Sequence, residues 1–233
     1  MIFNDDLLFL HVPKTGGMSV TRYLLETLPK PLAITHPIDD PDLHKQEITQ
    51  LDGARHESLA EARDMLAALG RDIREFQVVL VGMRNPYDQE VSRYAFLRQG
   101  HHWELGPEQD LALASDFETF ALGNCQAGGR WKRYGLEAER ERPNEIRDYY
   151  MLDGVLPRNL KVIRFEHLAE DLLGALTALD IVGTPDFPWD NHSDHQAYAT
   201  YYTPAAEAAV YDRYRWVFDQ GFYDRLRLAS PRL

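Results

Sequence analysis

Three short, largely apolar runs, each leading into a helical pattern, constrain this chain more than any other feature. They are residues 7–12 (LLFLHV), 78–83 (VVLVGM) and 160–165 (LKVIRF). A strand with one wet face alternates apolar and polar residues, whereas runs like these suit strands covered on both sides. Helical patterns follow over about 19–28, over about a dozen residues after Arg84-Asn85-Pro86, and through Leu168, Leu172, Leu173 and Leu176. Such repetition predicts a three-layer α/β fold with a central parallel sheet flanked by helices. Other helix starts are legible. Ser58 with Glu61, and Ser115 with Glu118, have capping-box spacing. Thr203-Pro204 pairs an N-cap with proline at the first helical position, and that helix carries Val210, Tyr214 and Val217 on one side. Residues 100–107 and 184–201 read as loops. No repeat, low-complexity tract or Gly/Ser linker divides the 233 residues, so a single domain over 1–233 is expected.

Charge narrows the partners. The 25 Lys and Arg residues against 37 Asp and Glu give a net charge of −12. An acidic surface repels polyanions, so nucleic acid is not an expected partner. The basic stretch Arg130-Trp131-Lys132-Arg133, with Arg140, Arg142 and Arg147, is interleaved with Glu137, Glu139, Glu141 and Glu145. It reads as a solvated, ion-paired helix face, with a local positive patch as the alternative. The single cysteine, Cys125, excludes an intramolecular disulfide and a Cys-rich zinc site. No apolar run approaches the ~18 residues of a membrane span. The acidic start, Met1 to Asp6, is unlike a secretory signal, and a cytoplasmic location is expected.

The strongest local chemistry follows the first strand: Pro13-Lys14-Thr15-Gly16-Gly17-Met18-Ser19. Glycines between a buried strand and a helix let successive N–H groups turn toward an anion, and the helix start adds its dipole. Lys14 adds a mobile charge, and Thr15 and Ser19 add hydroxyls. The motif is not Walker A, because the lysine precedes the glycines. An ordinary strand–helix turn is the alternative. At the end of the second strand stands Arg84-Asn85-Pro86-Tyr87-Asp88, with Ser92 eight residues after Arg84. Strand carboxyl ends of a parallel sheet gather at one edge, so Arg84, Ser92 and the Lys14 loop are expected to converge on one ligand. A surface ion pair at Arg84 and a solvated Ser92 are the alternatives.

Together the two elements resemble sulfotransferases that use 3′-phosphoadenosine-5′-phosphosulfate (PAPS). Residues Pro13 to Ser19 look like the family's loop for the 5′-phosphosulfate, and Arg84 to Asp88 with Ser92 look like its 3′-phosphate motif. The branch most resembled contains carbohydrate 2-O-sulfotransferases and small bacterial relatives. Arg164-Phe165-Glu166-His167-Leu168-Ala169-Glu170-Asp171 resembles that branch's third strand and helix, and Asn191-x-Ser193 with Tyr201-Tyr202-Thr203 its C-terminal segment. The resemblance spans about 7–223 and implies a P-loop-like fold. It assigns the cosubstrate to Lys14, Thr15, Gly16, Gly17, Met18, Ser19, Arg84 and Ser92. Met18 stands where the family usually has Thr, which leaves a backbone N–H in place of a hydroxyl. The segment Asn124 to Arg130 is only loosely like the family's acceptor-side helix.

By the same resemblance, Lys14 and His56 would be catalytic, with Lys14 at the leaving 5′-phosphate oxygen and His56 as the base. Bottom-up, His56 in Ala54-Arg55-His56-Glu57 reads first as a loop histidine satisfied by backbone, the resemblance being what favours the base, and Glu57 competes for the role. His11 reads as structural. His101-His102 and His192-x-x-His195 lack a clear carboxylate partner pattern, so no metal is expected. The implied reaction moves a sulfuryl group from PAPS to a hydroxyl on a sugar or small metabolite, releasing 3′,5′-diphosphoadenosine (PAP). The rivals are a P-loop kinase-like phosphotransferase using ATP and magnesium, and a nucleotide-binding module without transfer activity.

Overall fold

A two-residue strand, β1 (Ile2–Phe3), opens the chain and returns at once as β2 (Leu7–Leu10). The turn between them is Asn4-Asp5-Asp6, where the Asn4 side-chain oxygen accepts from the N–H groups of Asp6 and Leu7 at 3.0 and 2.8 Å. Asn and Asp favour such turns because their side chains bond to backbone two or three residues on. The computed structural model describes residues 1–35, 46–99, 107–126, 146–184, 186–188 and 195–228. Two compact units are distinguished. One comprises Met1–Met83 with Tyr134–Asn191, the other Arg84–Arg133 with His192–Leu233.

The first unit holds a six-stranded sheet in the order β4-β3-β1-β2-β5-β6. Its further strands are β3 (Leu32–Ile34), β4 (Ile48–Gln50), β5 (Val78–Met83) and β6 (Leu160–Arg164). The three runs singled out in the sequence are β2, β5 and β6. They lie side by side and parallel, with Leu10 opposite Val81 and Met83 opposite Arg164. The sheet as a whole is mixed rather than parallel, because β1 runs antiparallel to both β2 and β3. A two-residue strand leaves no periodicity to read, which is why the sequence did not reveal it.

Helices flank this sheet. In α1 (Gly17–Thr27) Val20, Tyr23 and Leu24 are buried at helical spacing, and in α6 (Leu168–Thr177) Leu168, Leu172, Ala175 and Leu176 are. Both helices share a core with Leu7, Phe9, Leu80 and Ile163. Leu8, Leu10, Val79 and Val81, of opposite parity, are equally buried on the other face. The third helix of this unit, α2 (Leu59–Ala68), starts at the expected capping box. Glu61 N–H donates to Ser58 Oγ at 3.3 Å, and Ser58 N–H to Glu61 Oε2 at 2.7 Å.

The second unit contains α3 (Pro86–Arg98), α4 (Pro107–Ala114), α5 (Phe117–Gln126), α7 (Pro204–Arg213) and α8 (Arg215–Asp219). An aromatic cluster binds them. Tyr87 meets Tyr202 edge-on at 5.1 Å, and Phe117 meets both Tyr94 and Tyr202. The buried Glu90 accepts from Asn124 Nδ2 and the Tyr214 hydroxyl, both at 2.6 Å. The predicted cap at Thr203 is present, accepting from Ala206 N–H at 3.3 Å. Val210, Tyr214 and Val217 are all buried, but the helix is interrupted at Tyr214. At α5 the cap is Asp116, which accepts from Thr119 N–H at 2.9 Å, and not Ser115. The Ser115 hydroxyl instead donates to Leu111 O at 2.6 Å, an outlet that an acceptor-only carboxylate lacks. Within the expected loop 184–201, Tyr198–Tyr201 forms a 3-10 turn.

Outside the described residues lie Arg130 to Arg133, Arg140, Arg142, the interleaved glutamates, His101, His102, Asn191, His192, Ser193 and the stretch 127–130. Among the described residues, no helix is long and apolar enough to cross a membrane.

Candidate active site

After β2 the chain enters α1 through a turn built by close approaches. Gly82 of β5 lies against it, where a Cβ would stand 2.6 Å from Thr15 Oγ1. Gly16 backs onto the start of α6, where a Cβ would stand 2.8 Å from Leu168 Cδ2. Lys14 and Gly16 both take the left-handed conformation, at φ 64 and φ 76. For the lysine this costs about 1–2 kcal/mol. Gly16 is the N-cap of α1, no side chain caps the helix, and its first turn carries no carboxylate. The helix start therefore retains its positive field, with the half-exposed Lys14 just before it. Met18 is half-buried and Ser19 buried in the first turn of α1. Thr15 departs from the expectation of a hydroxyl offered to a ligand. Its buried Oγ1 donates to Val12 O at 2.9 Å, so its N–H is what remains for an anion.

His56 is buried rather than free to swing. Its Nδ1 lies 2.7 Å from His11 O, and its ring meets the His11 ring edge-on at 4.5 Å. A carbonyl only accepts, so Nδ1 carries the proton and Nε2 of the neutral ring is the basic atom. The Tyr149 hydroxyl donates to His56 O at 3.4 Å. Glu57 is also buried, with Ala54 N–H donating to Oε1 at 2.8 Å and the Met1 amino group paired with Oε2 at 2.7 Å. His11 is structural in a specific sense. Its carbonyl fixes the tautomer of His56, and its ring fills the space beside Gly17, where a Cβ would lie 2.0 Å away.

In the second unit Arg84 and Ser92 are both buried, so neither the surface ion pair nor the solvated hydroxyl describes them. Arg84 Nη1 donates to Ser92 Oγ at 2.9 Å, and Nε donates to Asp88 Oδ2 at 2.7 Å. The helix makes this possible, because Asp88 and Ser92 are four residues apart and so share one face of α3. Nη2 reaches His195 Nε2 at 3.4 Å. Sequence reasoning weighed His195 only as a metal ligand and gave Asp88 no role. The four-residue spacing of Arg84, Asp88 and Ser92 could have signalled the cluster, but nothing in the sequence pointed to His195. Cys125 is half-buried, and burial, reinforced by Glu90, pushes its thiol up to about 12, which makes it a poor nucleophile.

No family model matches the sequence, and no curated protein matches it. Among solved structures, mouse sulfotransferase SULT7A1 complexed with PAP matches 97% of this chain and 86% of that chain, at 14% identity and a TM-score of 0.45. At that distance the likeness assigns neither a ligand nor an activity to this chain.

Proposed function

We propose that the chain is a sulfotransferase, its two units serving as one domain, that moves a sulfuryl group from PAPS to a hydroxyl of a sugar or small metabolite. What supports the reading most is the buried pair of Arg84 Nη1 and Ser92 Oγ at 2.9 Å. These are the two side chains that the resemblance assigns to the 3′-phosphate, and they already converge. The glycine turn supports the other end, with an uncapped helix start and Lys14 for the 5′-phosphate and Thr15, Gly16, Gly17, Met18 and Ser19 offering N–H groups.

In the reaction the acceptor oxygen bonds to sulfur as the bond from sulfur to the 5′-phosphate oxygen breaks, releasing PAP. His56 Nε2 takes the acceptor's proton. Lys14 neutralises the charge that grows on the leaving oxygen. Arg84 and Ser92 hold the far phosphate and so fix the line of attack. No step calls for a metal.

Thermal shift with PAP, AMP and ATP–Mg tests the reading. PAP is expected to stabilise most, and a shift from ATP–Mg alone would indicate a phosphotransferase instead. Arg84→Ala sharpens it. A charge-assisted hydrogen bond is worth roughly 1.5–3 kcal/mol, so PAP affinity is expected to fall about ten- to a hundredfold. AMP, which lacks the 3′-phosphate, should bind as before. Equal losses for both would make Arg84 a structural residue.

A further inference from the structure

Two of the side chains that orient Arg84, Asp88 and Ser92, come from one face of α3, so the aim of Arg84 depends on how that helix is held. Tyr87, in the first turn of α3, is fully buried and gripped from several sides. Its N–H donates to Asn85 Oδ1 at 3.0 Å, and its carbonyl accepts from the Tyr202 hydroxyl at 2.9 Å. Its own hydroxyl donates to Glu207 Oε1 at 2.7 Å and accepts from the Leu226 N–H. Glu207, in the first turn of α7, is itself buried. Arg225 forks onto it, Nε to Oε1 and Nη2 to Oε2, both at 2.8 Å. The Arg225 guanidinium also lies 4.0 Å from the centre of the Tyr211 ring, which stacks on Phe218. Arg225 and Leu226 belong to the segment that follows α8. A continuous line of side chains therefore runs from that segment, through Glu207 and Tyr87, to the helix start that carries Asp88 and Ser92.

We propose that Arg225 is a positioning residue for the phosphate site. Successive residues of an α-helix point about 100° apart and turn as one body. A hold on Tyr87 therefore sets the direction of Asp88 and Ser92, and through them that of Arg84. Arg225 secures this hold. A buried carboxylate stripped of its cation is costly, and it either takes up a proton or turns toward water. Either change weakens the acceptor to which the Tyr87 hydroxyl donates, and the first turn of α3 loses its anchor. The inference rests on the sulfotransferase reading. It adds a residue that touches neither nucleotide nor acceptor and acts on the 3′-phosphate by way of α3.

Calorimetry of PAP and AMP binding tests it, on the wild type, Arg225→Ala, Tyr87→Phe, Arg84→Ala and the double variant Arg225→Ala with Arg84→Ala. Arg225 is half-exposed, so its removal leaves the core packed, and Tyr87→Phe deletes only a hydroxyl. Both single changes are expected to lower PAP affinity about three- to tenfold while AMP binds as before. Arg225→Lys keeps the charge without the fork and should fall between Arg225→Ala and the wild type. On top of Arg84→Ala, Arg225→Ala should cost less than about twofold, because residues that act through one another are not additive. A residue that merely stabilised the second unit would weaken both ligands alike or neither, and its effect would add to that of Arg84→Ala. Either result overturns the positioning role and leaves the sulfotransferase reading standing. Failure of the wild type to bind PAP overturns both.

Discussion

Gly17 begins α1 where a side chain has no room, since a Cβ would lie 2.0 Å from the His11 ring. In an open helix position alanine would be preferred over glycine by about 1 kcal/mol. Here Gly17→Ala is expected to destabilise by about 1–3 kcal/mol through overpacking, measured by urea unfolding. It should also lower turnover, because His11 supplies the carbonyl that orients His56. An unchanged unfolding midpoint would mean that the ring yields freely. Lys14 poses the converse case, a side chain in a strained backbone at φ 64. Lys14→Gly relieves about 1–2 kcal/mol of strain against about 1 kcal/mol of extra unfolded-state entropy. Stability should hold or rise slightly while turnover collapses and PAP affinity changes much less. If turnover survives, Lys14 has no part in the mechanism. For His56→Ala a loss of about 10²–10⁴ in turnover is expected, with PAP affinity within a few-fold. Glu57→Gln is the control, its carboxylate being committed to Ala54 N–H and the Met1 amino group. A turnover loss in Glu57→Gln but not in His56→Ala would transfer the role to the carboxylate.

The helix starts show which local signals can be trusted. Ser58 caps α2 directly after His56 and Glu57, with both bonds of the capping box formed. Removing it should cost about 0.5–2 kcal/mol, a typical N-cap loss, as read by thermal or urea unfolding of Ser58→Ala. A change within error would mean that tertiary packing alone sets the start of α2. This cap was legible from residues three positions apart, and the one at Thr203 from the proline that follows it. The α5 cap was misplaced by one residue because serine can also bond backwards, to Leu111 O. No local signal marked β1, a two-residue strand whose existence depends on pairing with β2 and β3.

Across the molecule, acid is expected to loosen the second unit through Glu207. The hydrogen bonds from Arg225 hold its carboxyl below the ordinary value of 4.5, against an opposing effect of burial and with help from the Tyr87 hydroxyl. A depressed carboxyl pKa contributes stability that is present in full above the unfolded value and lost as pH falls through the folded one. Unfolding temperature should therefore drop below about pH 4.5. Glu207→Gln should be less stable at neutral pH and lose less on acidification. Parallel curves for the two proteins would mean that the Arg225–Glu207 pair contributes nothing net.

The sequence alone determined the three parallel strands, the helices after them, and the positions of the glycine turn and the Arg84–Ser92 element. These are written in contiguous residues, where burial pattern, glycine placement and helical spacing act locally. Tertiary structure alone decided how their side chains are used. Thr15 turns its hydroxyl to Val12 O, in space that Gly82 leaves by having no side chain. His56 is held by a carbonyl 45 residues away, and His195 meets Arg84 across 111 residues. Each is a contact between distant positions whose partner no local pattern names. Burial then makes each of them matter, because a polar atom removed from water must find its partner within the fold.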